Sequence, residues 1–438
     1  MTKKIQQNVL WAEDSKLAPG VMEFLAGEDV LLDRQLLVYD IQATQAHIRG
    51  LSRINIFSSD EATQLVAALD DLASEFLAGE FILDERFEDG HSAIEAYLTE
   101  RFGDLGKKIH TGRSRNDQIL VATRLYLQAK LKAVRTQTLA VAKACLQRAQ
   151  ADELTPMPGY THLQPAMPSS VGLWMGAFAE AMLDNADWLL AIKQQINISP
   201  LGAAAGFGTS LPLDRQGVAK ELGFERVQIN AQYVQNSRGK FELMALQGIE
   251  QVLLDVRRLA WDLSLFSTAE FGFVKMGKGY STGSSIMPNK SNPDVVELLR
   301  GAVVVVQGAI TELQNLLSLP SGYQRDLQLT KAPLLRAMNM ANSALGILPG
   351  LIAGLEFNRV AMLQKITPEM FATDRAMQLV ETGLSFRAAY LQMKSPPAGE
   401  AEFTPGTSLA MRLSAGGSGK PGLQVLRERL LKYGNKQA

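Results

Sequence analysis

The stretch DQILVATRLYLQAKLKAVRTQTLAVAKACLQRAQ, residues 117–150, contains neither glycine nor proline. Along it, Leu120, Leu127, Leu131 and Val134 recur on one face of an α-helix. At about 1.5 Å per residue, the stretch predicts a helix about 45 Å long. A single helix of this length indicates an architecture of long, packed helices.

Several other segments show the same long, apolar helical pattern. Together they predict an all-α chain with a central bundle of long helices. Helices that are apolar on more than one face also favour association with copies of the same chain. Strands are expected only at residues 81–83 and 227–229. The further long segments are residues 170–196, 241–271, 293–319 and 327–355.

The pattern changes towards both ends of the chain, which predicts three helical domains. Short helical segments indicate an N-terminal domain over residues 1–112, with an irregular start over residues 1–30. The long helices occupy residues 113–365. Residues 366–438 have shorter helical patterns and more Pro and Gly, and they predict a small C-terminal helical domain.

Composition narrows the class of protein. The chain has 438 residues, with 44 Lys and Arg against 45 Asp and Glu, so no basic excess points to nucleic acid. Cys145 is the only cysteine, which excludes an internal disulfide and a cysteine-based metal cluster. The N-terminus lacks the apolar core of a signal peptide, and no apolar run is long enough to span a bilayer. A cytoplasmic protein is therefore expected.

A long polar connection, GKGYSTGSSIMPNKSNPD, covers residues 277–294. Helix–helix connections usually take about 2–8 residues, so its length and polarity indicate more than a linker. Asn292 is a good N-cap and Pro293 suits the first helical position. Lys290 and Asn292 would then stand at the positive end of a helix, which favours a carboxylate ligand. A flexible surface loop with a well-made cap is the alternative.

A second polar segment, HTGRSRNDQ, covers residues 110–118 and precedes the first long helix. Arg113 and Arg115, with Ser114 and Asn116 between and beside them, are suited to binding carboxylates through bidentate hydrogen bonds. The alternative is a helix start capped by its own Ser, Asn or Asp. Two arginines argue against capping alone, because cations are unfavourable at that end of the helix dipole unless an anion joins them.

A third polar segment, GYTHLQPAMP, covers residues 159–168 and is interpreted as a loop. It places His162 beside Thr161, a setting in which a histidine can transfer protons near neutral pH. His47 and His91 lie in apolar helical patterns and are interpreted as packing or capping residues. No histidine pair has the spacing of metal ligands, so no zinc or iron site is expected.

A fourth group is YQRDLQLTK, residues 323–331. Gln328 and Lys331 are three positions apart and would share a helix face, although such a group is often only a solvated helix start. The chain has no P-loop, no dinucleotide-binding glycine fingerprint and no nucleophile elbow. The chemistry is therefore expected from Ser284 or Ser285, Lys290 and their neighbours, without a cofactor.

These segments together resemble a known family. GSSIMPNKSNPD, residues 283–294, resembles the signature loop of the fumarase/aspartase superfamily, whose members cleave C–N or C–O bonds and release fumarate. HTGRSRNDQ and GYTHLQPAMP narrow the resemblance to the argininosuccinate lyase family. EDGHSAIE (residues 88–95), LPSGYQRDLQ (residues 319–328) and, near the C-terminus, ATD and GLSFRAAY match as well.

The resemblance implies a fold, an assembly and a reaction. It implies an N-terminal helical domain, a central helical bundle and a small C-terminal helical domain. Four bundles would associate in a homotetramer with a twenty-helix core, and each active site would take loops from three subunits. The implied reaction is the reversible elimination of argininosuccinate to arginine and fumarate in arginine biosynthesis. It needs no cofactor or metal and no nucleic-acid or membrane partner.

The resemblance also implies residue roles. Ser284 matches the serine that removes the proton beside a carboxylate, and Lys290 and Asn292 would stabilise the resulting aci-carboxylate. His162 would protonate the departing nitrogen; the opposite assignment of the two proton roles stays open. Glu297 completes the implied catalytic set. The other implied substrate contacts are Ser114, Asn116 and Thr161 for the fumarate-side carboxylates, with Arg115, Tyr323, Gln328 and Lys331 for other parts.

Two departures from the family pattern concern the substrate pocket. Asp29 replaces a substrate-contacting serine, and an acid there favours a cationic guanidinium or amino group and repels a carboxylate. The usual Ser-Asp-Arg-Asp before the central helix is Asn236-Ser237-Arg238-Gly239-Lys240 in this chain. The elimination chemistry does not depend on either position.

Alternatives remain at this point. Other lyases of the superfamily, such as adenylosuccinate lyase, fumarase or aspartase, replace the HTGRSRNDQ segment. A structural protein without activity is a second alternative, since the family has been recruited as lens crystallin. Such a protein can lose Ser284, His162 or Lys290, whereas this chain has all of them. An assay that follows the absorbance of fumarate, with argininosuccinate, adenylosuccinate, malate and aspartate as substrates, discriminates between these interpretations.

Overall fold

The computed structural model describes residue 18, residues 20–394 and residues 403–434. These residues form two compact units, each built from three stretches of the chain. The first unit contains the described residues up to Lys132, with Leu190–Gln247 and Gln307–Asn339. The second contains Ala133–Leu189, Gly248–Val306 and the described residues from Met340 onward. The division into three domains along the sequence stays a prediction.

Most described residues are helical. In chain order, the helices of the first half are α1 (Val21–Ala26), α2 (Asp29–Asp33), α3 (Leu37–Arg53), α4 (Ser59–Ala78), α5 (Gly90–Phe102), α6 (Asp104–Lys107), α7 (Arg115–Ala151), α8 (Val171–Gln195) and α9 (Arg215–Glu221). Those of the second half are α10 (Ala231–Asn236), α11 (Lys240–Phe266), α12 (Asp294–Leu316), α13 (Lys331–Ala353), α14 (Arg359–Gln364), α15 (Ala372–Glu381), α16 (Phe386–Met393), α17 (Pro405–Ala410) and α18 (Leu423–Gly434). Short 3₁₀ helices cover Lys108–His110, Arg325–Thr330 and Pro368–Phe371.

The described strands are short and pair two by two. Three of the pairs are antiparallel, and β3 with β4 is parallel. The pairs are β1 (Pro156–Thr161) with β2 (Gln164–Ser170), β3 (Ile198–Ser199) with β4 (Arg226–Val227), β5 (Val274–Lys275) with β8 (Glu356–Phe357), and β6 (Thr282–Gly283) with β7 (Ser291–Asn292).

The predicted all-α class and the long helices are confirmed. α7 has 37 residues and exceeds the predicted residues 117–150 at both ends. α11 ends at Phe266, short of the predicted residue 271, and the residues that follow form turns. α13 begins at Lys331, since the residues before it form a 3₁₀ helix. No described helix is long and apolar enough to cross a membrane.

In the first unit, α3, α4 and α5 pack around a shared apolar core. Leu51, Leu69 and Leu98 are each fully buried there, one from each helix. α4 is capped by Ser58, which forms a capping box with Glu61. This three-helix core supports the ends of α2 and α5, from which pocket residues project.

Two local predictions in the first unit are wrong. The segment expected to be irregular, residues 1–30, contains the short helix α1 (Val21–Ala26) and the start of α2 (Asp29–Asp33). Residues 81–83 form no strand. Leu83 is buried and the Phe81 ring contacts the rings of Phe87 and Tyr97, so these apolar side chains fill the core without a pairing strand.

In the second unit, the segment interpreted as a loop over residues 159–168 is part of the β1–β2 hairpin. Four prolines lie in its two strands, and proline in a sequence usually argues against a strand. A two-stranded sheet tolerates them because each strand has a free edge that needs no N–H donor. The hairpin shifts register between Gly159 and Tyr160 and ends at Thr161, paired with Gln164.

Candidate active site

The first unit contains a cavity of about 300 Å³ whose lining includes five residues predicted to contact substrate. Arg115 and Asn116 come from the start of α7. Tyr323, Gln328 and Lys331 come from the segment that leads into α13. The fold thus brings together two polar segments that are distant in the sequence.

Arg115 is fixed in the cavity wall by acids from the start of α5. Its Nη1 lies 2.9 Å from Glu88 Oε2 and 3.2 Å from Asp89 Oδ2. Burial alone would raise the pKa of Asp89, but His91 and Arg115 lower it to about 2. Asp89 also caps α5 by accepting the Ser92 N–H at 2.7 Å. Arg115 is therefore held in place, and its charge is largely balanced before any ligand binds.

Ser114 and Arg113 do not line this cavity. Ser114 caps α7: its Oγ accepts the Asn116 N–H at 3.2 Å, and its N–H donates to Asp117 Oδ1 at 2.9 Å. Arg113 is buried and donates from Nη1 to Thr44 Oγ1 at 3.0 Å. The expectation that both arginines of this segment bind carboxylates is wrong for Arg113, because it points into the interior.

Lys331 is buried between two acids of α2. Its Nζ lies 2.7 Å from Asp33 Oδ1 and 3.1 Å from Asp29 Oδ1. Burial lowers the pKa of Lys331, but Asp33 and Asp29 outweigh it, so the pKa stays above its ordinary value. Gln328 donates from its amide to Asp29 Oδ2 and to the Leu25 carbonyl at 3.2 Å. The predicted contacts Lys331 and Gln328 are thus both engaged by the chain's own N-terminal segment.

His91 is a cavity residue that was interpreted from sequence as packing or capping. It is buried, and its Nδ1 lies 2.5 Å from Asp40 Oδ2. Asp40 Oδ1 also accepts from Gln118 Nε2 at 2.8 Å. Burial opposes charging of His91, but Asp40 and Asp89 together raise its pKa. Its only signal in the sequence was the match of EDGHSAIE to the family, because the partner Asp40 lies on another helix.

His47 behaves as the sequence predicted. It is buried, and its Nε2 lies 3.0 Å from the Thr111 carbonyl oxygen, to which the neutral ring can donate. Burial, together with the nearby charge of Arg113, lowers the pKa of His47 to about 3. A histidine that stays neutral in this way stabilises the structure through packing and one hydrogen bond.

In the second unit, His162 lies at the tip of the β1–β2 hairpin. His162 and Leu163 form its two-residue turn, with φ of 55° and 58°. Positive φ at both central residues matches the hairpin turns in which Asn-Gly is usual. A non-glycine residue in that region costs about 1–3 kcal/mol, a strain that is concentrated at functional sites. Thr161, His162 and Leu163 are all exposed.

The segment 277–294 of the second unit is a second hairpin, anchored at its base and open at its tip. A Cβ at Gly277 would lie 2.6 Å from the Gly354 carbonyl oxygen, so glycine is required there for close packing. Thr282 pairs with Asn292 in β6–β7. The tip extends from Ser284 to Lys290, and the Ile286 side chain there is 82% exposed.

Within this tip, two backbone N–H groups point at the hydroxyl of Ser284. Ser284 Oγ accepts from Met287 N at 3.1 Å and from Ile286 N at 3.4 Å. Lys290 is exposed at the other end of the tip. α12 begins at Asp294, so Asn292 lies just before the helix, in β7, and Glu297 is exposed in its first turn. The tip therefore combines a hydroxyl, two N–H donors and an ammonium group.

The sequence-predicted site residues thus fall into three places. Arg115, Asn116, Tyr323, Gln328 and Lys331 line the cavity of the first unit. Ser114 lies beside it as a helix cap. Thr161 and His162 occupy one hairpin tip of the second unit, and Ser284, Lys290, Asn292 and Glu297 occupy the other hairpin and the helix after it. Among the described residues, no group of three or more His, Cys, Asp or Glu side chains is placed to hold a metal ion.

Solved structures share this fold over most of the chain. An EDDS lyase in complex with formate superposes with a TM-score of 0.77 at 23% identity, covering 96% of this chain and 90% of that chain. A class II fumarase from Schistosoma mansoni superposes with a TM-score of 0.69 at 16% identity, covering 82% and 87%. At these identities the likeness establishes the fold.

Sequence relatives are much closer. A family described as Lyase matches residues 20–308. An argininosuccinate lyase of Stenotrophomonas maltophilia (strain R551-3) is 51% identical over 425 residues, 96% of this chain and 98% of that protein. An argininosuccinate lyase of Sorangium cellulosum (strain So ce56) is 49% identical over 97% of this chain and 99% of that protein. The chain therefore belongs to the argininosuccinate lyase family of the fumarase/aspartase superfamily.

Proposed function

We propose that this chain is a cytoplasmic enzyme of arginine biosynthesis that cleaves argininosuccinate to arginine and fumarate by reversible elimination. The observation that carries the proposal is the identity of about half with argininosuccinate lyases over nearly the whole length of both chains. The chain also retains Ser284, His162 and Lys290, which a protein without activity has no need to keep.

The cavity of the first unit is proposed to hold the arginine part of the substrate. Its wall carries Arg115, Asn116, Tyr323, Gln328 and Lys331 among alternating acids and bases. Such a lining suits a long ligand with both a guanidinium and an amino-acid group, whereas a dicarboxylate alone would meet the acids Asp29, Glu88 and Asp89. The two exposed hairpin tips then supply the groups that act on the succinyl part.

The reaction begins with removal of a proton from the succinyl CH₂ group. The C–H electron pair moves into the adjacent carboxylate and forms an aci-carboxylate dianion. When that pair returns, the C=C bond of fumarate forms and the bond from carbon to the guanidinium nitrogen breaks. The dianion is too unstable in water and requires positive groups fixed in advance. Lys290, with the amide of Asn292, is proposed to provide that stabilisation.

Ser284 is proposed as the base. An ordinary serine hydroxyl hardly ionises near neutral pH, so its alkoxide must be stabilised. The Ile286 and Met287 N–H groups already point at Ser284 Oγ, and an alkoxide would accept from both more strongly than the hydroxyl does. The positive charge of Lys290 in the same tip acts in the same direction.

His162 is proposed as the acid that protonates the departing nitrogen. Because His162 is exposed, the backbone of the strained turn, and not side-chain packing, fixes its position in the hairpin. Thr161 beside it, together with Ser114 and Asn116 at the start of α7, is proposed to bind the carboxylates of the fumarate part. Glu297 is proposed to pair with the cationic form of His162 through a charge-assisted hydrogen bond.

The complete site is proposed to form in a homotetramer, with loops from three subunits. His162 and Ser284 lie on tips that are open to solvent in the single chain, whereas elimination through a dianion requires a site closed to water. Apolar side chains are also exposed on the long helices of the second unit, a pattern of association surfaces. They include Trp261, Leu298 and Val304. Sedimentation that shows a stable monomer under assay conditions would refute this assembly.

The test of the reaction is release of fumarate, followed by its ultraviolet absorbance. Argininosuccinate is expected to give a signal, and adenylosuccinate, malate and aspartate are expected to give none. Ser284→Ala is expected to abolish turnover while the chain still folds and binds substrate. Fumarate release from one of the other three substrates alone, or full turnover by Ser284→Ala, contradicts the proposal.

Proton exchange separates the two catalytic roles. In D₂O, an enzyme that keeps its base but lacks its acid can still exchange the succinyl CH₂ proton without breaking the C–N bond. His162→Gln is therefore expected to retain deuterium incorporation into argininosuccinate, and Ser284→Ala is expected to lose it. The reverse result would assign the base to His162.

A further inference from the structure

We propose that Asp29 and Arg238 determine which ligands the cavity accepts, by binding the ammonium and the carboxylate group of the substrate's α-amino-acid end. This inference rests on the proposed function and names how the distal end of the same substrate is recognised. Both residues line the cavity; Asp29 departs from the family pattern, and Arg238 is the family's arginine in a segment from which the two acids are missing.

Arg238 is a buried cation with which no acid of the described residues forms an ion pair. It is only 5% exposed, yet within the described part of the chain its side chain forms no hydrogen bond or ion pair. Its guanidinium carbon lies 5.8 Å from the ring centre of Tyr323, which also lines the cavity. Glu242 and Asp29 lie close enough to interact with Arg238, but each acid has a stronger cationic partner, Arg124 for Glu242 and Lys331 for Asp29. A carboxylate of the ligand would supply the direct hydrogen-bonded partner that Arg238 lacks.

Asp29 provides the opposite charge. Asp29 and Asp33 share the single ammonium group of Lys331, and Arg238 attracts Asp29 from nearby without forming an ion pair with it. Asp33 faces inward, with Oδ2 accepting the Gly90 N–H at 2.9 Å, whereas Asp29 lines the cavity. Burial, more than Lys331 can offset, raises the pKa of Asp29. A ligand ammonium group beside this carboxylate would give Asp29 a direct partner that it does not share with Asp33.

The other cations of the cavity already have partners, although the partner of Arg325, which is exposed, is a backbone carbonyl oxygen and not an acid. This leaves Arg238 for an anionic group and Asp29 for a cationic one, a pair that matches a free α-amino acid. The engaged groups are Arg115 with Glu88 and Asp89, Lys331 with its two acids, and Arg325, whose Nη2 donates to the Leu25 carbonyl at 3.0 Å. Lys331, although predicted to contact substrate, is on this view a structural counter-ion that positions Asp29.

Binding of product analogues tests the inference without depending on turnover. Titration calorimetry would compare arginine with agmatine, which lacks the carboxylate, and with 5-guanidinopentanoate, which lacks the amino group. The wild-type chain is expected to bind arginine about ten- to a hundredfold more tightly than either analogue. Asp29→Asn is expected to remove the preference over 5-guanidinopentanoate only, and Arg238→Gln the preference over agmatine only.

Asp326→Asn is the matched control. Asp326 is an exposed acid in the same 3₁₀ helix as Gln328 and does not line the cavity, so all three affinities should stay unchanged. Equal loss of affinity for all three ligands in both variants, or no preference for arginine in the wild type, overturns the inference. Absence of fumarate release from argininosuccinate by the wild type overturns the proposed function instead.

Discussion

Replacement of Lys331 by methionine tests the charge cluster beneath the cavity. Lys331 reaches from the start of α13 to two acids of α2. The exposed fraction of the side chain is 6% for Lys331, 13% for Asp29 and 3% for Asp33. Methionine has a similar length but no charge. The substitution therefore leaves two buried carboxylates without their cation while the packing volume stays nearly the same.

The expected loss follows from this burial. Removal of one partner from a buried ion pair costs about 3–5 kcal/mol, because the remaining charge is left uncompensated. An exposed pair contributes about 0–1 kcal/mol. Arg336 and Glu312 form such a pair, at 51% and 48% exposure, and Arg336 lies on the same helix as Lys331. Arg336→Met is thus the matched control, with an expected loss below about 1 kcal/mol.

The assay is urea unfolding of both variants and the wild type near pH 7 and near pH 5. The pKa of Asp29 is already above its ordinary value, and loss of Lys331 raises it further. A carboxyl with a raised folded-state pKa weakens the folded state at high pH, and the penalty disappears as pH falls and the carboxyl binds a proton. The Lys331→Met deficit should therefore shrink at the lower pH. A deficit that equals that of Arg336→Met, or does not change with pH, refutes the reasoning.

Two further predictions concern His47 and Gly277. The pKa of His47 is about 3 in the folded state, against an ordinary value of 6.5. Between these two pH values the unfolded state binds a proton on His47 and the folded state does not, so the free energy of unfolding decreases as the pH falls. His47→Gln keeps an N–H donor for the Thr111 carbonyl but has no ring to protonate. The free energy of unfolding of this variant should therefore change less with pH than that of the wild type, by about 1.4 kcal/mol per pH unit. Parallel pH curves for variant and wild type would contradict this. Gly277→Ala should cost about 1–3 kcal/mol in urea unfolding, because its Cβ would meet the Gly354 carbonyl oxygen, whereas Gly283→Ala faces open space and should be nearly neutral. Equal losses would show that the contact at Gly277 is unimportant.

Much of the fold could be predicted because it depends on local periodicity. The absence of Gly and Pro over residues 117–150, with apolar residues at helical spacing, predicted α7 to within two residues at each end. The concentration of polar residues likewise identified the segments that line the cavity or form the exposed hairpin tips. These features depend on residues a few positions apart, so they are visible in one sequence.

Other features arise only from residues that are far apart in the sequence. Nothing near Lys331 predicts that Asp29 and Asp33 neutralise it, or near His91 that Asp40 binds its ring. The hairpin of β1 and β2 was also not predicted, because proline usually argues against a strand. Only the pairing of the two strands shows that each has an outer edge that needs no N–H donor.

The sequence by itself therefore determined the helices, the reactive residue types and the family. The tertiary structure decided which charges are already balanced and which remain for a ligand. In the cavity this distinction separates Lys331, held by two acids, from Arg238, which has no ion-pair partner among the described residues. The physical reason is that a charge acts through its neighbours in space, and burial makes each unpaired charge costly.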